Sequence, residues 1–159
     1  MIRLRPIRPA DDEFLTELDH PDVAGPFNTF PPDERATPEW WVERRVIELE
    51  NGTPIGSMSW HPVSYGPNRK STAVNLGITI HPEWRGRGLG AAAQRALADL
   101  LFATGDVNRV EASTDVENVA EQRALERAGF RREGIARGAQ FRQGAWHDLV
   151  VYSRLRLDE

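Results

Sequence analysis

The feature that most constrains this chain is a cluster of glycines between an apolar run and an amphipathic segment. The cluster is Arg85-Gly86-Arg87-Gly88-Leu89-Gly90, the apolar run covers residues 74–80, and a helical pattern covers residues 91–103. Glycine allows the backbone to turn tightly, and the first amide hydrogens of a helix have no partner within the helix. The stretch therefore predicts a strand, a loop and a helix whose junction binds an anion, with a pyrophosphate as the first hypothesis.

Size and composition predict one domain that spans residues 1–159. The absence of cysteine excludes disulfides, thiolate zinc ligands and a cysteine nucleophile, and 4 scattered histidines predict that there is no metal site. The N-terminus has no signal-peptide pattern, and no segment reaches the roughly 18 apolar residues that a membrane span needs. We expect a cytoplasmic protein with no membrane partner.

The charge of the chain argues against a nucleic-acid partner. Its formal net charge is −4 and its pI is about 5.6, whereas binding to a phosphate backbone needs a basic surface. All cationic side chains except Lys70 are arginine, so arginine at a given position does not by itself indicate bidentate recognition. The sequence leaves the oligomeric state open, a homodimer included.

The N-terminal quarter combines an edge strand, helices and a long loop. Apolar and charged side chains alternate over the first residues, and the acidic residues 11–13 then open a short helix. Four prolines predict that residues 20–36 form a loop without regular structure, of the kind that often shapes a binding site. Thr37 is a helix cap, and the helix that it opens carries Trp40 and Trp41.

A hairpin and a second loop precede the glycine cluster. Residues 46–50 and 53–60 are predicted strands that flank Asn51-Gly52, a dipeptide suited to the two positive φ angles of a type I′ turn. Residues 61–71 contain two prolines and predict a loop.

The C-terminal third predicts a further strand and helix and two closing strands. The strand covers residues 109–114, and the helix covers residues 118–128 and ends at Gly129-Phe130, where glycine can be left-handed and Phe130 can fold back. Residues 130–137 and 145–155 are the closing strands. This order predicts an α+β or mixed-sheet α/β fold with one right-handed crossover near the glycines.

Three phosphate-binding patterns can be compared with the glycine cluster. A Walker loop is absent, since no Gly-x-x-x-x-Gly-Lys occurs. A dinucleotide fingerprint fits Gly86, Gly88 and Ala91, with Glu111 as the acidic residue on the next strand. That alternative, a nicotinamide-dependent oxidoreductase, is weakened because only one βαβ unit follows the motif.

The third pattern, Arg/Gln-x-x-Gly-x-Gly/Ala, is met by Arg85, Gly88 and Gly90. A second motif, an asparagine at the start of the next helix and a closing Gly-Phe, is met by Asn118 and Gly129-Phe130. With these motifs the chain resembles the GNAT family of N-acetyltransferases. The segments around Asn118, after Gly129 and near the C-terminus resemble the branch of ribosomal-protein alanine N-acetyltransferases.

The resemblance implies a fold, a reaction and a set of binding residues. The fold is a mixed, mostly antiparallel sheet of about six to seven strands flanked by about four helices. The reaction is direct attack of a primary amine, from a protein N-terminus or a small metabolite, on the thioester of acetyl-CoA. A catalytically weak acyl-CoA-binding module is the remaining alternative. The residues implied to bind the coenzyme are Ile78, Thr79, Ile80, Arg85, Gly86, Arg87, Gly88, Leu89, Gly90, Ala91, Asn118 and Arg123.

The side chains that usually carry protons in this family are missing. Many members have a tyrosine where this chain has Leu125, the ribosomal branch often has a serine where it has Glu121, and a carboxylate often occupies the position of Asn75. The resemblance therefore implies the coenzyme more specifically than it implies an acid or a base.

Three groups remain candidates for the chemistry. Glu121 can protonate the thiolate or accept the amine proton, but it also follows Asn118 at capping-box spacing, so a structural role stays open. His61 has a near-neutral intrinsic pKa and is either the base or a solvated loop histidine. A backbone N–H near Ile80 is the expected donor to the oxyanion.

Overall fold

Seven strands form one sheet in the computed structural model, which describes residues 1–30 and 43–158. The strands are β1 Ile2–Pro6, β2 Glu43–Leu49, β3 Pro54–Ser64, β4 Thr72–Ile80, β5 Arg109–Asp115, β6 Arg131–Arg142 and β7 Ala145–Leu155. Their order across the sheet is β1-β2-β3-β4-β5-β7-β6, and all neighbours are antiparallel except β4 and β5. The predicted mixed, mostly antiparallel fold is confirmed.

Four helices accompany this sheet within the described ranges. They are α1 Asp12–Leu18, α2 Pro21–Ala24, α3 Leu89–Thr104 and α4 Val119–Arg127. The parallel strands β4 and β5 are joined through α3, which is the crossover expected from the glycine cluster. None of the helices described is long and apolar enough to cross a membrane.

The main core lies between one face of the sheet and the helices α3 and α4. Leu97 of α3 and Leu125 of α4 are fully buried there with strand residues such as Val110 and Tyr152. Helix α4 ends as predicted: Gly129 has a φ of +90°, and Phe130 donates its N–H to the carbonyl oxygen of Leu125. A smaller cluster packs α1 on the opposite face.

The two parallel strands pair only at one end. Their register joins Val74 to Val110 and Asn75 to Glu111, and no further pairs follow. Beyond these positions, residues 76–80 remain paired with β3, whereas β5 remains paired with β7. The sheet therefore splits between the carboxyl ends of β4 and β5.

The turn between β2 and β3 differs from the predicted type I′ turn. Gly52 has a φ of +86°, but among the described residues the only non-glycine with positive φ is Gln143, so Asn51 does not adopt the required conformation. The Gly52 N–H bonds to the carbonyl oxygen of Leu49, and the register shifts at Ile47 and Glu48. A longer loop with a bulge is compatible with the twist of the two strands and needs only one left-handed residue, Gly52.

Strand β3 continues past the predicted end at Trp60 and includes His61 and Pro62. Pro62 faces Val74 in a pair that does not exchange hydrogen bonds with β4, so its missing N–H interrupts no bond of that ladder. The prediction of a loop at His61 is wrong, and the loop begins at Tyr65.

The predicted irregular loop after α1 contains the short helix α2, because Pro21 is well suited to the first position of a helix. The predicted cap at Thr37 and the helix with Trp40 and Trp41 lie outside the described residues.

A buried ion network joins β1, β2 and the turn before α1. Arg5 donates to both carboxylate oxygens of Asp11 at 2.7 and 2.8 Å and also bonds to Glu48. The hydrogen bond from Arg5 holds the pKa of Asp11 at about 2. Arg5 is thus the buried guanidinium that both carboxylates share.

We expect Arg5→Met to lower the free energy of unfolding by about 3–5 kcal/mol, because two carboxylates stay buried without this partner. Urea denaturation near pH 7 measures the loss. Arg3 also contacts Glu48, but its side chain is 61% exposed, so Arg3→Met is the matched control with an expected loss below about 1 kcal/mol. Equal losses in the two variants would contradict the assignment.

Candidate functional site

A cleft of about 480 Å³ opens where β4 and β5 diverge. Its walls come from four parts of the chain: the turn after α2, the end of β4, the glycine cluster and the first turns of α4. The lining residues are Ala24, Gly25, Pro26, Phe27, Asn28, Ile78, Thr79, Ile80, Trp84, Arg85, Gly86, Gly88, Leu89, Gly90, Ala91, Asn118, Ala120, Glu121, Arg123, Ala124 and Arg127. The cleft thus brings together all the predicted site residues except Arg87 and His61.

The glycine cluster exposes backbone donors to this cleft. Gly86 and Gly88 have φ angles of +72° and +76°, and a Cβ atom on either one would meet no atom within 4 Å. Gly88 is the N-cap of α3, and the first helical bond of α3 runs from the Ala92 N–H to the Gly88 carbonyl at 3.2 Å. The amides of residues 89–91 have no acceptor among the described residues. This end of the helix is suited to bind a phosphate group.

The edge of β4 also faces the cleft. His81 donates its N–H to Ile55 at 2.9 Å, which makes the odd-numbered residues of β4 the hydrogen-bonded partners of β3. The backbone groups of Ile78 and Ile80 therefore face the side from which β5 has diverged. The Ile80 carbonyl accepts a bond from Arg85 Nε at 2.8 Å, and the Ile78 and Ile80 N–H groups face the cleft.

The four arginines near the cleft differ in what they contact. Arg85 donates to the carbonyl oxygens of Ile80 and Val23, so it braces the glycine cluster against α2. Arg87 donates to a backbone carbonyl and lies over the Trp84 ring at 4.8 Å. By contrast, the side chains of Arg123 and Arg127 are exposed in the cleft and bond to no other described residue.

Asn118 caps α4 as the sequence predicts. Its Oδ1 accepts the N–H of Glu121 at 3.3 Å, and its Nδ2 donates to Thr114 Oγ1 at 3.0 Å. The reciprocal half of a capping box is absent, because the Asn118 N–H donates to the carbonyl oxygen of Asp115. The Glu121 carboxyl is thus not a member of the cap.

Glu121 instead bonds to a buried glutamine. Gln94 of α3 is fully buried, and its Nε2 donates to Glu121 Oε1 at 2.6 Å. Glu121 is half-buried, and desolvation raises the pKa of its carboxyl to about 7, although the Gln94 hydrogen bond acts in the opposite direction. A carboxyl with this pKa can give or take a proton near neutral pH.

His61 lies outside the cleft, on the sheet face opposite α3. His61 is paired with Asn75 of β4 in the sheet, and Asn75 is paired with Glu111 of β5. Asn75 and Glu111 are the last pair before β4 and β5 diverge. Burial lowers the pKa of His61, and the nearby Glu111 charge opposes this effect. Glu111 itself accepts hydrogen bonds from Tyr65 at 2.6 Å and from Arg109 at 2.9 Å.

The sequence analysis missed several residues of the cleft. Arg127 was detectable, because it follows Arg123 by four residues and so shares its helix face. Gln94, which bonds to Glu121 but does not line the cleft, gave no signal, since its position depends on how α3 packs. Phe27 lies in the proline-rich loop that was predicted to shape a binding site. Among the described residues, no three histidine, aspartate or glutamate side chains group as metal ligands.

Comparison with known proteins gives consistent results. The family model described as the acetyltransferase (GNAT) domain matches residues 2–131. The "Putative ribosomal N-acetyltransferase YdaF" of Bacillus subtilis (strain 168) is 31% identical, with 98% of this chain and 91% of that protein covered. A solved structure of a probable acetyltransferase is 30% identical and has a TM-score of 0.75, with 98% of this chain and 93% of that chain covered.

A more distant structure shares the fold. The ribosomal L7/L12 alpha-N-protein acetyltransferase RimL, solved in complex with coenzyme A, is 20% identical with a TM-score of 0.78, and the match covers 97% of this chain and 93% of that one. The dinucleotide interpretation of the glycine cluster is wrong, since the sheet is mostly antiparallel and Glu111 is held by Tyr65 and Arg109. The chain belongs to the GNAT family of acetyltransferases, and its reaction is acetyl transfer from acetyl-CoA to an amine.

Proposed function

We propose that the cleft holds acetyl-CoA with its pyrophosphate at the glycine cluster and its pantetheine arm along the split edge of β4. One observation carries this proposal: two sets of backbone groups meet in one cleft. They are the amides of residues 89–91, which have no acceptor in the described part of the chain, and the edge of β4 at Ile78 and Ile80, which does not pair with β5. The first set of donors suits an anion, and the second suits the amide groups of an extended arm. Thr79 and Asn118 also line this cleft.

The exposed guanidinium groups of Arg123 and Arg127 supply further positive charge for the coenzyme phosphates. Both lie on α4 at the cleft and bond to no other described residue, unlike Arg85 and Arg87. In this proposal Arg85 supports the glycine cluster rather than contacting phosphate.

We expect the double variant Arg123→Gln/Arg127→Gln to bind acetyl-CoA about 10-fold more weakly, because charge-assisted phosphate bonds are lost. Titration calorimetry at low and high salt measures the affinity, and the difference from wild type narrows as salt screens the charges. The exposed pair Arg132 and Arg137 on β6 lies outside the cleft and offers a control with the same charge change. An equal loss in that control would refute the contact.

Glu121 is the proposed acid in the chemistry. The amine nitrogen attacks the thioester carbon, the C–S bond breaks, and the electron pair goes to sulfur, which takes the proton of the Glu121 carboxyl to give the thiol. The raised pKa of Glu121 favours its protonated form at neutral pH. The Ile80 N–H is the proposed donor to the oxyanion, supported by its position on the free edge of β4.

His61 is the proposed base for the amine proton, acting from the other face of the sheet. His61 lies beside Asn75 and Glu111 in the sheet, where β4 and β5 begin to diverge. An amine that enters the gap between these two strands from the sheet face opposite α3 would therefore pass close to His61. Burial lowers the pKa of His61, and a neutral imidazole can accept a proton.

The acceptor in this proposal is a primary amine on a protein N-terminus or a small metabolite. The similarity to YdaF of Bacillus subtilis, whose name refers to a ribosomal acetyltransferase, supports the first of these. The test measures thiol release from acetyl-CoA with an alanine-initiated hexapeptide, spermidine or a free amino acid as acceptor. Release with any one supports the proposal, and tight coenzyme binding with no release from a broad amine panel would favour a non-catalytic binding module.

A further inference from the structure

The contact between Gln94 and Glu121 connects the interior of the protein to the proposed acid. Gln94 is a residue of α3 and has no exposed surface. Its Nε2 is 2.6 Å from Glu121 Oε1, whereas its own Oε1 is buried and has no hydrogen-bond partner among the described residues. An unpartnered buried acceptor destabilises a fold, so packing alone does not account for a glutamine at this position.

We propose that Gln94 is a positioning residue that fixes which oxygen of Glu121 carries the catalytic proton. The carbonyl oxygen of a carboxylic acid accepts an amide N–H more strongly than the protonated hydroxyl oxygen does, so the Gln94 bond favours the form in which Oε1 carries no proton. The proton of the carboxylic acid is therefore placed on Oε2, which bonds to no described residue. This inference rests on the proposed role of Glu121 as the acid.

The surroundings of Glu121 make Gln94 its principal partner. The charged side chains that line the same cleft are Arg85, Arg123 and Arg127, and none of them forms an ion pair with Glu121 in the described structure. On α3, Arg95 donates to the Arg127 carbonyl oxygen instead. Desolvation and the Gln94 bond are the two influences on the pKa of Glu121, and they oppose each other.

Gln94→Met tests the inference, because methionine has a similar length and adapts to packed sites but donates no hydrogen bond. We expect the Glu121 carboxyl, observed by carbon-13 NMR, to titrate about one pH unit higher than in wild type. We also expect kcat to fall about 10-fold, with KM for acetyl-CoA changed less than about twofold. Gln122→Met is the control, since Gln122 is the next residue of α4 and its side chain bonds, within the described ranges, only to the Val116 carbonyl oxygen.

A double variant separates positioning from packing. If Gln94 acts through Glu121, then Gln94→Met changes kcat less than about twofold once Glu121→Gln is present. An unchanged titration midpoint, an unchanged kcat, or an equal loss of kcat in both backgrounds would overturn the inference. If Glu121→Gln itself keeps full activity, Glu121 is not the acid and the proposed function of this residue fails. That failure can be told apart from a failure of the present inference, because Gln94→Met would still shift the titration of Glu121 although Glu121 has no effect on kcat.

Discussion

Gly88→Asp is expected to lower the affinity for acetyl-CoA at least about 100-fold, because the new carboxylate enters the space that we propose for the pyrophosphate. Gly88 is the N-cap of α3 and has a φ of +76°, with open space where its side chain would stand. Gly88→Asp introduces both a negative charge and backbone strain at this position, so a neutral variant of the same shape is needed to separate their effects on the affinity. Titration calorimetry with acetyl-CoA gives the affinity.

Gly88→Asn is that counterpart, since asparagine tolerates the left-handed region and caps helices, but carries no charge. We expect it to bind acetyl-CoA within about 10-fold of wild type. The melting temperature of each variant checks that the fold is kept. A folded Gly88→Asp protein that binds as tightly as Gly88→Asn would show that the pyrophosphate does not lie at this helix end.

Glu121→Gln is expected to lower kcat about 100-fold, with KM for acetyl-CoA changed less than about twofold, because the variant keeps the hydrogen bond to Gln94 but has no proton to give. Steady-state thiol release across pH measures the effect. Glu126→Gln, at an exposed position five residues further along α4, is the control with the same chemical change. Near wild-type activity in Glu121→Gln would leave Glu121 with a structural role only.

The same variant is expected to be more stable than wild type at high pH. Desolvation raises the pKa of Glu121 from 4.5 to about 7, so the folded protein holds a proton that the unfolded chain releases. The contribution of Glu121 to stability is fully present below about pH 4.5 and is lost as pH rises through about 7. Above this range we expect Glu121→Gln to have a free energy of unfolding higher by about 1–2 kcal/mol in urea denaturation, and an equal difference at pH 4 would contradict the cause.

Local signals predicted the parts of the site that depend on backbone conformation. Gly88, Asn118 and Gly129 each act within a few residues of their own position, as a left-handed N-cap, a side-chain cap and a helix end. Such roles are specified by residue type and spacing, because the hydrogen bonds involved join residues close in sequence. The type I′ turn predicted at Asn51-Gly52 rests on the same kind of local signal, but it is wrong. The dipeptide also suits a loop in which only the glycine is left-handed.

Contacts between distant segments could not be predicted in this way. Arg85 occurs in the phosphate motif but donates to the carbonyl of Val23, which is 62 residues away. The capping-box spacing of Glu121 suggested a local role, but its carboxyl bonds to Gln94, which α3 brings from 27 residues away. The pKa of a carboxyl depends on what surrounds it, and the sequence does not list those neighbours.

The sequence by itself determined the family, the fold class and the helix end that suits a phosphate group, because each depends on short motifs whose geometry is local. The tertiary structure decided where β4 and β5 diverge, which arginines remain available at the cleft, and that Glu121 is desolvated beside Gln94. These properties arise from the packing of α3 and α4 against the sheet, since burial and hydrogen bonding between distant residues exist only once the chain has folded.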